Sequence, residues 1–314
     1  MKKALILSDG KPGHVNQSLA LARIMHWEVE IIRVRFKNRA AKALSYGMDL
    51  CALYSPSLLK PIPRPRETPD IIISAGSETY YANKYLSRLW EISNLAILFP
   101  RGYRLDFAHI FAPAYDHPPR RSNITPLPIN LTLSDESWYR QQTALFRQYH
   151  ADRAQPAIGI AIGGNSKHTT LDLDHFKQQL DEIFSRHPGH AFWITTSRRT
   201  PPEIISLIET YPFDYMLIWS QDAFNPLPAF IANCDHLYLT ADSASMISEA
   251  VSYGSASVTL IPINRKGRRD KFTRFITSLL RSESLTLLSS PMRSNNKKID
   301  LSEQIRTSLH TFLP

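Results

Sequence analysis

Cysteine is scarce in this chain of 314 residues, which has only Cys51 and Cys234. Two cysteines are too few for a disulfide framework or a zinc site, so we expect a reducing compartment. No cluster of His, Asp and Glu has metal-ligand spacing, which predicts a protein without a bound metal. No apolar run approaches the ~18 residues that span a bilayer, and the run near the start is too short for a signal peptide. We therefore expect a cytoplasmic protein, either free or peripheral on the inner face of the cytoplasmic membrane.

Acidic residues are also few, 28 against 37 Lys and Arg, which leaves a net charge of +9. This excess favours anionic partners such as nucleotides or an acidic membrane surface, and a solvated basic face is the plain alternative. The chain shows no nucleic-acid recognition motif, no P-loop and no Gly-x-Gly-x-x-Gly, so no nucleic acid is expected as a partner. The length predicts two domains of ~150 residues, which we place at 1–150 and 151–314.

Apolar runs that read as strands alternate with helical segments in both halves, which predicts parallel α/β sheets. The interval from 123 to 133 is predicted to cross towards the second domain, and 135–151 to be helical. In the first half we predict strands at Lys3–Leu7, Val29–Val34, Asp70–Ala75, Leu95–Phe99 and Phe107–Ala112; in the second half, at Ala157–Ile162, His190–Thr195, 236–240 and Ser257–Ile263.

Three strands of the second half end in loops rich in hydrogen-bond donors. The loops hold Gly163, Gly164, Asn165, Ser166 and Lys167; Ser197, Arg198 and Arg199; and Asp242, Ser243 and Ser245. Because the carboxyl ends of parallel strands share one edge of a sheet, these donors are expected to converge on a phosphate-bearing ligand. Glu249, about one helical turn beyond Ser245, could accept hydrogen bonds from a ribose. The plain alternatives are helix caps for the serines and solvated surface for the arginines.

The loop Asp9–Ser18 follows the first strand and contains the ionisable pair Asp9 and His14. Histidine titrates near neutral pH, so His14 suits a general base. Asp9 could itself be the base, could orient His14, or could merely cap the loop, and His14 could instead make a structural hydrogen bond at the start of a helix. If this loop is structural, the base is to be sought at Glu78, Asp116 or His117.

With these motifs in place, the chain resembles the mitochondrial-fission-protein-like family, named for a plant elongated-mitochondria protein and widespread in bacteria. The resemblance covers nearly the whole chain. It is carried, in the family's order, by Asp9–Ser18, Gly163–His168, Thr196–Pro201, Thr240–Ala250 and the basic-aromatic segment Lys271–Phe275. The chain differs from the family pattern in Gly76–Thr79, which lacks the usual basic or His residue after the glycine, at Tyr115, and after Gly254, where a proline is absent. The first two lie in the half where an acceptor would bind, so the resemblance leaves the acceptor open.

The resemblance implies a GT-B-like fold, in which two Rossmann-like doubly wound domains face across a cleft. It implies a metal-independent glycosyltransferase without a further cofactor, which moves a sugar from a nucleotide-sugar donor to a cell-envelope glycan or lipid-linked acceptor. The donor would bind the C-terminal domain, with the diphosphate on Gly163–Lys167 and on the helix after Asp242. Lys167 and Arg198 would stabilise the leaving diphosphate, and Glu249 would bind the ribose. The acceptor would bind the N-terminal domain, on which the last helix of the chain could pack back.

Two other classes compete with this hypothesis. A nucleotide-sugar epimerase on the same fold would need no acceptor and would act on the donor alone. A non-enzymatic adaptor on a membrane surface, as the plant relatives suggest, would depend on the basic segment Arg265–Arg274 more than on the loops. We rank it third because an adaptor has no need of donor-rich loops at three strand ends.

Overall fold

The computed structural model describes residues 1–133, 135–149, 157–265, 271–292, 295–310 and 312. The chain divides into two compact units, one of residues 1–133 with 301–314 and the other of residues 134–300. Each unit is a parallel sheet with helices. The predicted fold class, α/β with two Rossmann-like domains, is confirmed.

The first unit contains a six-stranded parallel sheet in the order β2-β1-β3-β4-β5-β6. Side chains of β1, β3 and β5 are buried almost throughout, as expected for strands covered on both faces. The elements are β1 Lys3–Ser8, α1 Pro12–Ile24, β2 Glu28–Arg33, α2 Arg39–Leu50, β3 Ile71–Ala75, α3 Tyr80–Trp90, β4 Ser93–Ile97, β5 His109–Pro113 and β6 Ile124–Leu127, with α10 Ser302–His310 returning from the end of the chain.

The second unit has a six-stranded parallel sheet in the order β10-β9-β7-β11-β12-β14. A short antiparallel pair, β8 with β13, lies outside that sheet. The elements are α4 Glu136–Tyr149, β7 Ala157–Ala161, β8 Thr169–Thr170, α5 Leu173–Arg186, β9 Ala191–Thr195, α6 Pro202–Ile208, β10 Tyr215–Leu217, α7 Leu227–Asn233, β11 His236–Thr240, α8 Ala244–Ser252, β12 Ser257–Ile261, β13 Asn264–Arg265, α9 Lys271–Arg281 and β14 Thr286–Leu287.

The division between the units differs from the predicted boundary at residue 150. Helix α4 belongs to the second unit because its Phe146 packs against the rings of Trp193, Tyr215 and Phe230, at centroid distances of 5.4, 5.1 and 6.1 Å. The predicted boundary itself falls at residues 150–156, which lie outside the described residues.

Helix α10 belongs to the first unit, although it follows the second in sequence. Its Arg306 Nε donates to the carbonyl of Ile24 at 3.2 Å, and Thr125 Oγ1 donates to Ser308 Oγ at 2.9 Å. The last helix thus packs back on the N-terminal domain, as the sequence analysis allowed, although the range 151–314 assigned it to the C-terminal domain.

Two elements of the first unit were mispredicted. The interval 123–133 was expected only as a crossing segment, but Ile124–Leu127 is the sixth strand, paired with β5. The loop expected at Asp9–Ser18 is shorter, because α1 begins at Pro12 and His14 already lies in its first turn. Proline suits the first helical turn, where its missing N–H costs no hydrogen bond.

Candidate active site

The three donor-rich loops of the second unit meet at the carboxylate of Asp242. This side chain is completely buried and accepts hydrogen bonds from Gly164 N at 3.1 Å, Thr240 Oγ1 at 2.7 Å and Arg199 Nη2 at 2.6 Å. A buried carboxylate needs such partners, because an unpaired charge in the interior is costly. Asp242 thus joins the loops after β7, β9 and β11 rather than pointing at solvent.

Gly163 and Gly164 are glycines because of close packing within the unit. A Cβ on Gly163 would lie 2.0 Å from Asp242 Oδ1, and one on Gly164 would lie 2.0 Å from the backbone oxygen of Arg199. Their N–H groups donate to Thr240 Oγ1 at 2.7 Å and to Asp242, and Asn165 N donates to the Arg199 carbonyl at 3.0 Å. These donors already have partners, so the glycines shape the loop, and phosphate contacts would fall to its exposed part.

The exposed part of that loop runs from Asn165 to His168. Asn165 and Ser166 hold its shape: Asn165 Oδ1 accepts from Leu171 N at 2.8 Å, and Ser166 Oγ accepts from the N–H groups of His168 and Thr169 at 3.1 Å each. Lys167 is exposed and has no hydrogen bond or ion pair among the described residues. It is the member of the loop whose charge is available to an anion.

The loop after β9 divides its residues between structure and surface. Ser197 Oγ donates to the Gly163 carbonyl at 2.8 Å, and Thr200 Oγ1 donates to the same oxygen at 2.6 Å. Arg199 is committed to Asp242, whereas Arg198 is exposed and unpaired within the described chain. Of the two arginines predicted to face a phosphate, Arg198 is therefore the one whose guanidinium has no partner among the described residues.

Helix α8 starts in the third loop. Ser243 is its N-cap, and Ser243 Oγ accepts a hydrogen bond from Met246 N at 3.4 Å. The hydroxyl of Ser243 therefore caps the helix, which is the plain alternative named for the serines above. Ser245 is exposed in the first turn, where the positive end of the helix dipole favours anions. At the other end of α8, Lys298 Nζ donates to the carbonyls of Ala250 and Ala256 at 2.8 Å each, and burial lowers its pKa to about 8. Lys298 was not identified from sequence.

Glu249 lies on the second turn of α8 and has no hydrogen bond or ion pair for its carboxylate in the described part of the chain. Its side chain is only half-buried, but enough atoms surround it to desolvate the charge, which raises the pKa of Glu249 to about 7. An unpaired carboxylate that loses hydration without gaining a partner is suited to accept hydrogen bonds from ligand hydroxyls.

In the first unit, Asp9 and His14 form a hydrogen-bonded pair at the end of β1. Asp9 Oδ2 lies 2.9 Å from His14 Nδ1, and Asp9 Oδ1 accepts from Lys11 N at 3.0 Å. Burial acts to raise the pKa of Asp9, but the hydrogen bond from Lys11 N and the His14 imidazole outweigh it, and the pKa is lowered. A buried carboxylate at Nδ1 fixes the ring so that Nε2 is the atom left to accept a proton.

The ring of His14 packs against the loop after β3. A Cβ on Gly76, whose φ is +88°, would lie 2.4 Å from His14 Cε1. Glycine is required here both for this approach and for the left-handed backbone. The His14 side chain keeps 24% of its surface exposed, whereas that of Asp9 keeps 2%. The imidazole is thus held by Asp9 and packed against Gly76, and part of the side chain remains exposed.

The alternative bases are less favourably placed. Glu78 is paired with Lys42 at 2.5 Å, and Asp116 with Arg101 at 2.9 Å. His117 is exposed and has a left-handed backbone with φ of +52°. Of these candidates, His14 alone combines an orienting carboxylate with an accessible ring edge.

Two further features are absent from the described residues. No group of three or more His, Cys, Asp or Glu residues there is arranged to hold a metal ion. Within the same residues, none of the helices is both long and apolar enough to cross a membrane.

Comparison with known proteins supplies the family. The family model described as Mitochondrial fission ELM1 matches residues 12–308. The chain belongs to this family. That confirms the resemblance found in the sequence, and the match includes every predicted site residue except Asp9.

Two similar sequences illustrate how this chain relates to other proteins. An uncharacterized protein of Rickettsia prowazekii (strain Madrid E) is 25% identical over 327 residues, which cover 90% of this chain and 91% of the relative. The mitochondrial fission protein ELM1 of Arabidopsis thaliana is 26% identical over 216 residues, which cover 60% of this chain and 51% of the plant protein.

Solved structures agree with the fold. The UDP-GlcNAc 2-epimerase of Methanocaldococcus jannaschii aligns with 100% of this ELM1-family chain and 93% of its own, at 13% identity and a TM-score of 0.54. The identity is low, so the likeness concerns the fold alone.

Proposed function

We propose that this protein is a glycosyltransferase that moves a sugar from a nucleotide-sugar donor to a cell-envelope glycan or lipid-linked acceptor. The observation that carries the proposal is the Asp9–His14 pair, a buried carboxylate at 2.9 Å from Nδ1 of a partly exposed imidazole. Such a pair is suited to take the proton from an acceptor hydroxyl. The fold is shared with a UDP-GlcNAc 2-epimerase, which supports a nucleotide sugar as the donor.

The second unit is assigned to the donor. Exposed Lys167 and Arg198 and the first turn of α8 offer positive charge to a diphosphate, and Glu249 offers a carboxylate to the ribose hydroxyls. Arg199 and Asp242 form an ion pair that holds two of these loops together, so their charges neutralise each other and are not offered to the ligand. The donor would thus be bound by groups that have no partner among the described residues, and these groups would neutralise the leaving diphosphate without a metal.

The first unit is assigned to the acceptor. The acceptor oxygen attacks the anomeric carbon, and the bond from that carbon to the diphosphate oxygen breaks with its electron pair. His14 Nε2 takes the hydroxyl proton, and Asp9 stabilises the imidazolium that forms. This course belongs to an inverting displacement, in which a base acts on the acceptor.

Binding and turnover together test the proposal. Nucleoside diphosphates and nucleotide sugars are screened by thermal shift, and hits are titrated by calorimetry against wild type, Glu249→Gln and the control Glu203→Gln. Glu203 is an exposed carboxylate on α6, in the same unit. We expect Glu249→Gln to lose roughly 1–3 kcal/mol of affinity while the control binds as wild type.

Turnover then separates the reaction classes. A transferase consumes the donor only when an acceptor is added, whereas an epimerase converts the donor alone. Conversion of the donor to an isomeric nucleotide sugar without acceptor would contradict the transferase assignment. Absence of binding to every nucleotide tested would instead favour the non-enzymatic adaptor.

A further inference from the structure

Helix α2 of the first unit packs Ala41, Tyr46 and Met48 against the core, but it also buries polar side chains and exposes leucines. Ser45 and Asp49 are completely buried, whereas Leu44 and Leu50 are 55% and 73% exposed. Leu53, just beyond the helix, is 58% exposed. A helix on the surface of a soluble domain normally turns its apolar side chains inward. The exposed leucines depart from this pattern.

The inward polar residues have specific partners, which fixes the orientation of the helix. Ser45 Oγ lies 2.9 Å from the hydroxyl of Tyr103. The Asp49 carboxylate pairs with buried Lys84 Nζ at 2.7 Å and accepts from Arg104 N at 2.6 Å. Rotation of α2 to bury its leucines would break these bonds and leave charges unpaired in the interior. The contacts of Ser45 and Asp49 with the core therefore keep the leucines of α2 exposed.

The sequence around this face is strongly basic. Between Ile31 and Arg66 the chain carries eight Lys or Arg residues and a single acidic residue, Asp49, whose side chain is buried. Arg35, Lys37 and Arg39, which lead into α2, are all exposed. Phe36 between them forms a bridge with Leu59, so Lys60 lies beside Arg35 and donates its N–H to the Arg35 carbonyl at 2.9 Å. Positive charge and exposed leucines therefore occupy one part of the first unit.

We propose that this α2 face, formed by Arg35, Lys37 and Arg39 with Leu44, Leu50 and Leu53, docks on a bilayer that contains acidic phospholipid. The charge of this segment is one-sided, since its single carboxylate, that of Asp49, is buried, and the neighbouring Glu78 is paired with Lys42 of α2. Leucines on an exposed helix next to basic residues are the arrangement by which helices lie in a membrane interface. A lipid surface meets both requirements at once, because it offers anionic headgroups above an apolar layer.

The position of α2 connects this face to the candidate base. Lys42 of α2 donates to Ser77 Oγ at 3.1 Å and pairs with Glu78 at 2.5 Å. Gly76, next in the same loop, is the residue that packs against the His14 ring. The docking surface and the general base thus border one loop. This deepens the proposed function, on which it rests: a docked bilayer would present a lipid-linked acceptor near His14.

Vesicle flotation tests the docking with the full-length protein and without nucleotide or acceptor, so its outcome does not depend on catalysis. We compare phosphatidylcholine vesicles with vesicles that also contain phosphatidylglycerol. Wild type should float with the acidic vesicles only, and less as salt rises. The variant R35A/K37A/R39A is compared with R140A/K177A/R281A, exposed basic residues of the second unit. Both remove three positive charges, so a difference between them reports position rather than net charge.

We expect the first triple to lower the partition onto acidic vesicles roughly 100-fold, and the control to change it less than tenfold. L44S/L50S/L53S should lower it at least tenfold, whereas L173S/M292S, which removes exposed apolar side chains of the second unit, should not. Equal flotation of wild type on neutral and acidic vesicles, equal loss in both basic triples, or undiminished binding of the leucine triple would each overturn the proposal. So would retention of wild type on nucleic acid or acidic peptide without flotation on acidic vesicles.

Discussion

Glu249 provides a prediction in which stability and binding change in opposite directions. Desolvation raises its pKa from an ordinary 4.5 to about 7, so the folded protein disfavours the ionised carboxylate. Below pH 4.5 the side chain is protonated in both the folded and the unfolded states and has no effect on this balance. Between pH 4.5 and about 7 the unfolded chain ionises first, so the free energy of unfolding falls as pH rises, and above pH 7 the loss is complete.

The magnitude follows from the two pKa values. A displacement from 4.5 to about 7 corresponds to at most about 3.4 kcal/mol, and we expect about 1–3 kcal/mol because the side chain keeps some contact with solvent. Glu249→Gln removes the charge and retains the shape. The variant should therefore match wild type in stability below pH 4.5 and exceed it by that amount at pH 8, while its nucleotide affinity falls.

Urea denaturation of wild type and Glu249→Gln across this pH range measures the difference, with Glu203→Gln as the exposed control. Stability curves for wild type and Glu249→Gln that run parallel from acid to alkaline pH would refute the reasoning. In that case the carboxylate is not desolvated in the free protein, and its assignment as the group that binds the ribose hydroxyls loses its physical basis.

Three further predictions concern the framework beneath the site. Gly164→Ala should destabilise the second unit by about 1–3 kcal/mol or more in urea denaturation, because its Cβ would lie 2.0 Å from the Arg199 backbone oxygen; unchanged stability would show that the loop can shift. Lys84→Met should cost about 3–5 kcal/mol because it leaves the buried carboxylate of Asp49 without its cation, and a loss below 1 kcal/mol would contradict a buried ion pair. Burial lowers the pKa of His236 to about 3, so folding stability should fall as pH drops from 6.5 towards 3 by roughly 4 kcal/mol more in wild type than in His236→Gln; equal acid sensitivity of the two would refute this.

The alternation of apolar runs and polar loops was sufficient to predict the class of fold. Strands such as β1 and β7 are buried along nearly their whole length, so they read as continuous apolar runs. Strand β6 was missed because its segment contains Pro126 and a polar neighbour and lies at the edge of the sheet, where the apolar signal is weak. The boundary between the units was also misplaced, since it depends on the ring contacts of Phe146 with residues far along the chain.

The motifs located the candidate site, but they did not show the role of each residue. The same three loops contain residues that hold the loops together and residues whose charge is free to meet a ligand. The first group is Asp242, Arg199, Gly163 and Gly164, the second is Lys167 and Arg198, and the sequence alone does not separate them. Only the ion pairs of the structure separate the two groups: Arg199 is paired with Asp242, whereas Arg198 has no ion pair among the described residues. Pairings across 43 or more residues of sequence, such as Arg199 with Asp242, arise only when the loops meet in space.

The same limit applied to polar residues inside helices. Charged side chains on helices are usually exposed, yet those of Lys84 on α3 and Asp49 on α2 are 1% and 0% exposed and form an ion pair. The outward leucines of α2 follow from this pair, because the helix cannot turn without exposing or separating it. A pattern that assigns every leucine to the interior would bury Leu44 and Leu50, which are exposed in the structure.

The most direct test of the central claim is the transfer of a labelled sugar from a nucleotide that binds the protein to lipid-linked acceptors. Wild type, Asp9→Asn and His14→Asn are compared with the control His26→Asn, an exposed histidine just beyond α1. We predict that turnover falls roughly 10²–10⁴-fold in the first two variants, with nucleotide affinity nearly intact, and stays at the wild-type level in the control. Wild-type turnover in both Asp9→Asn and His14→Asn would contradict the assignment of the general base.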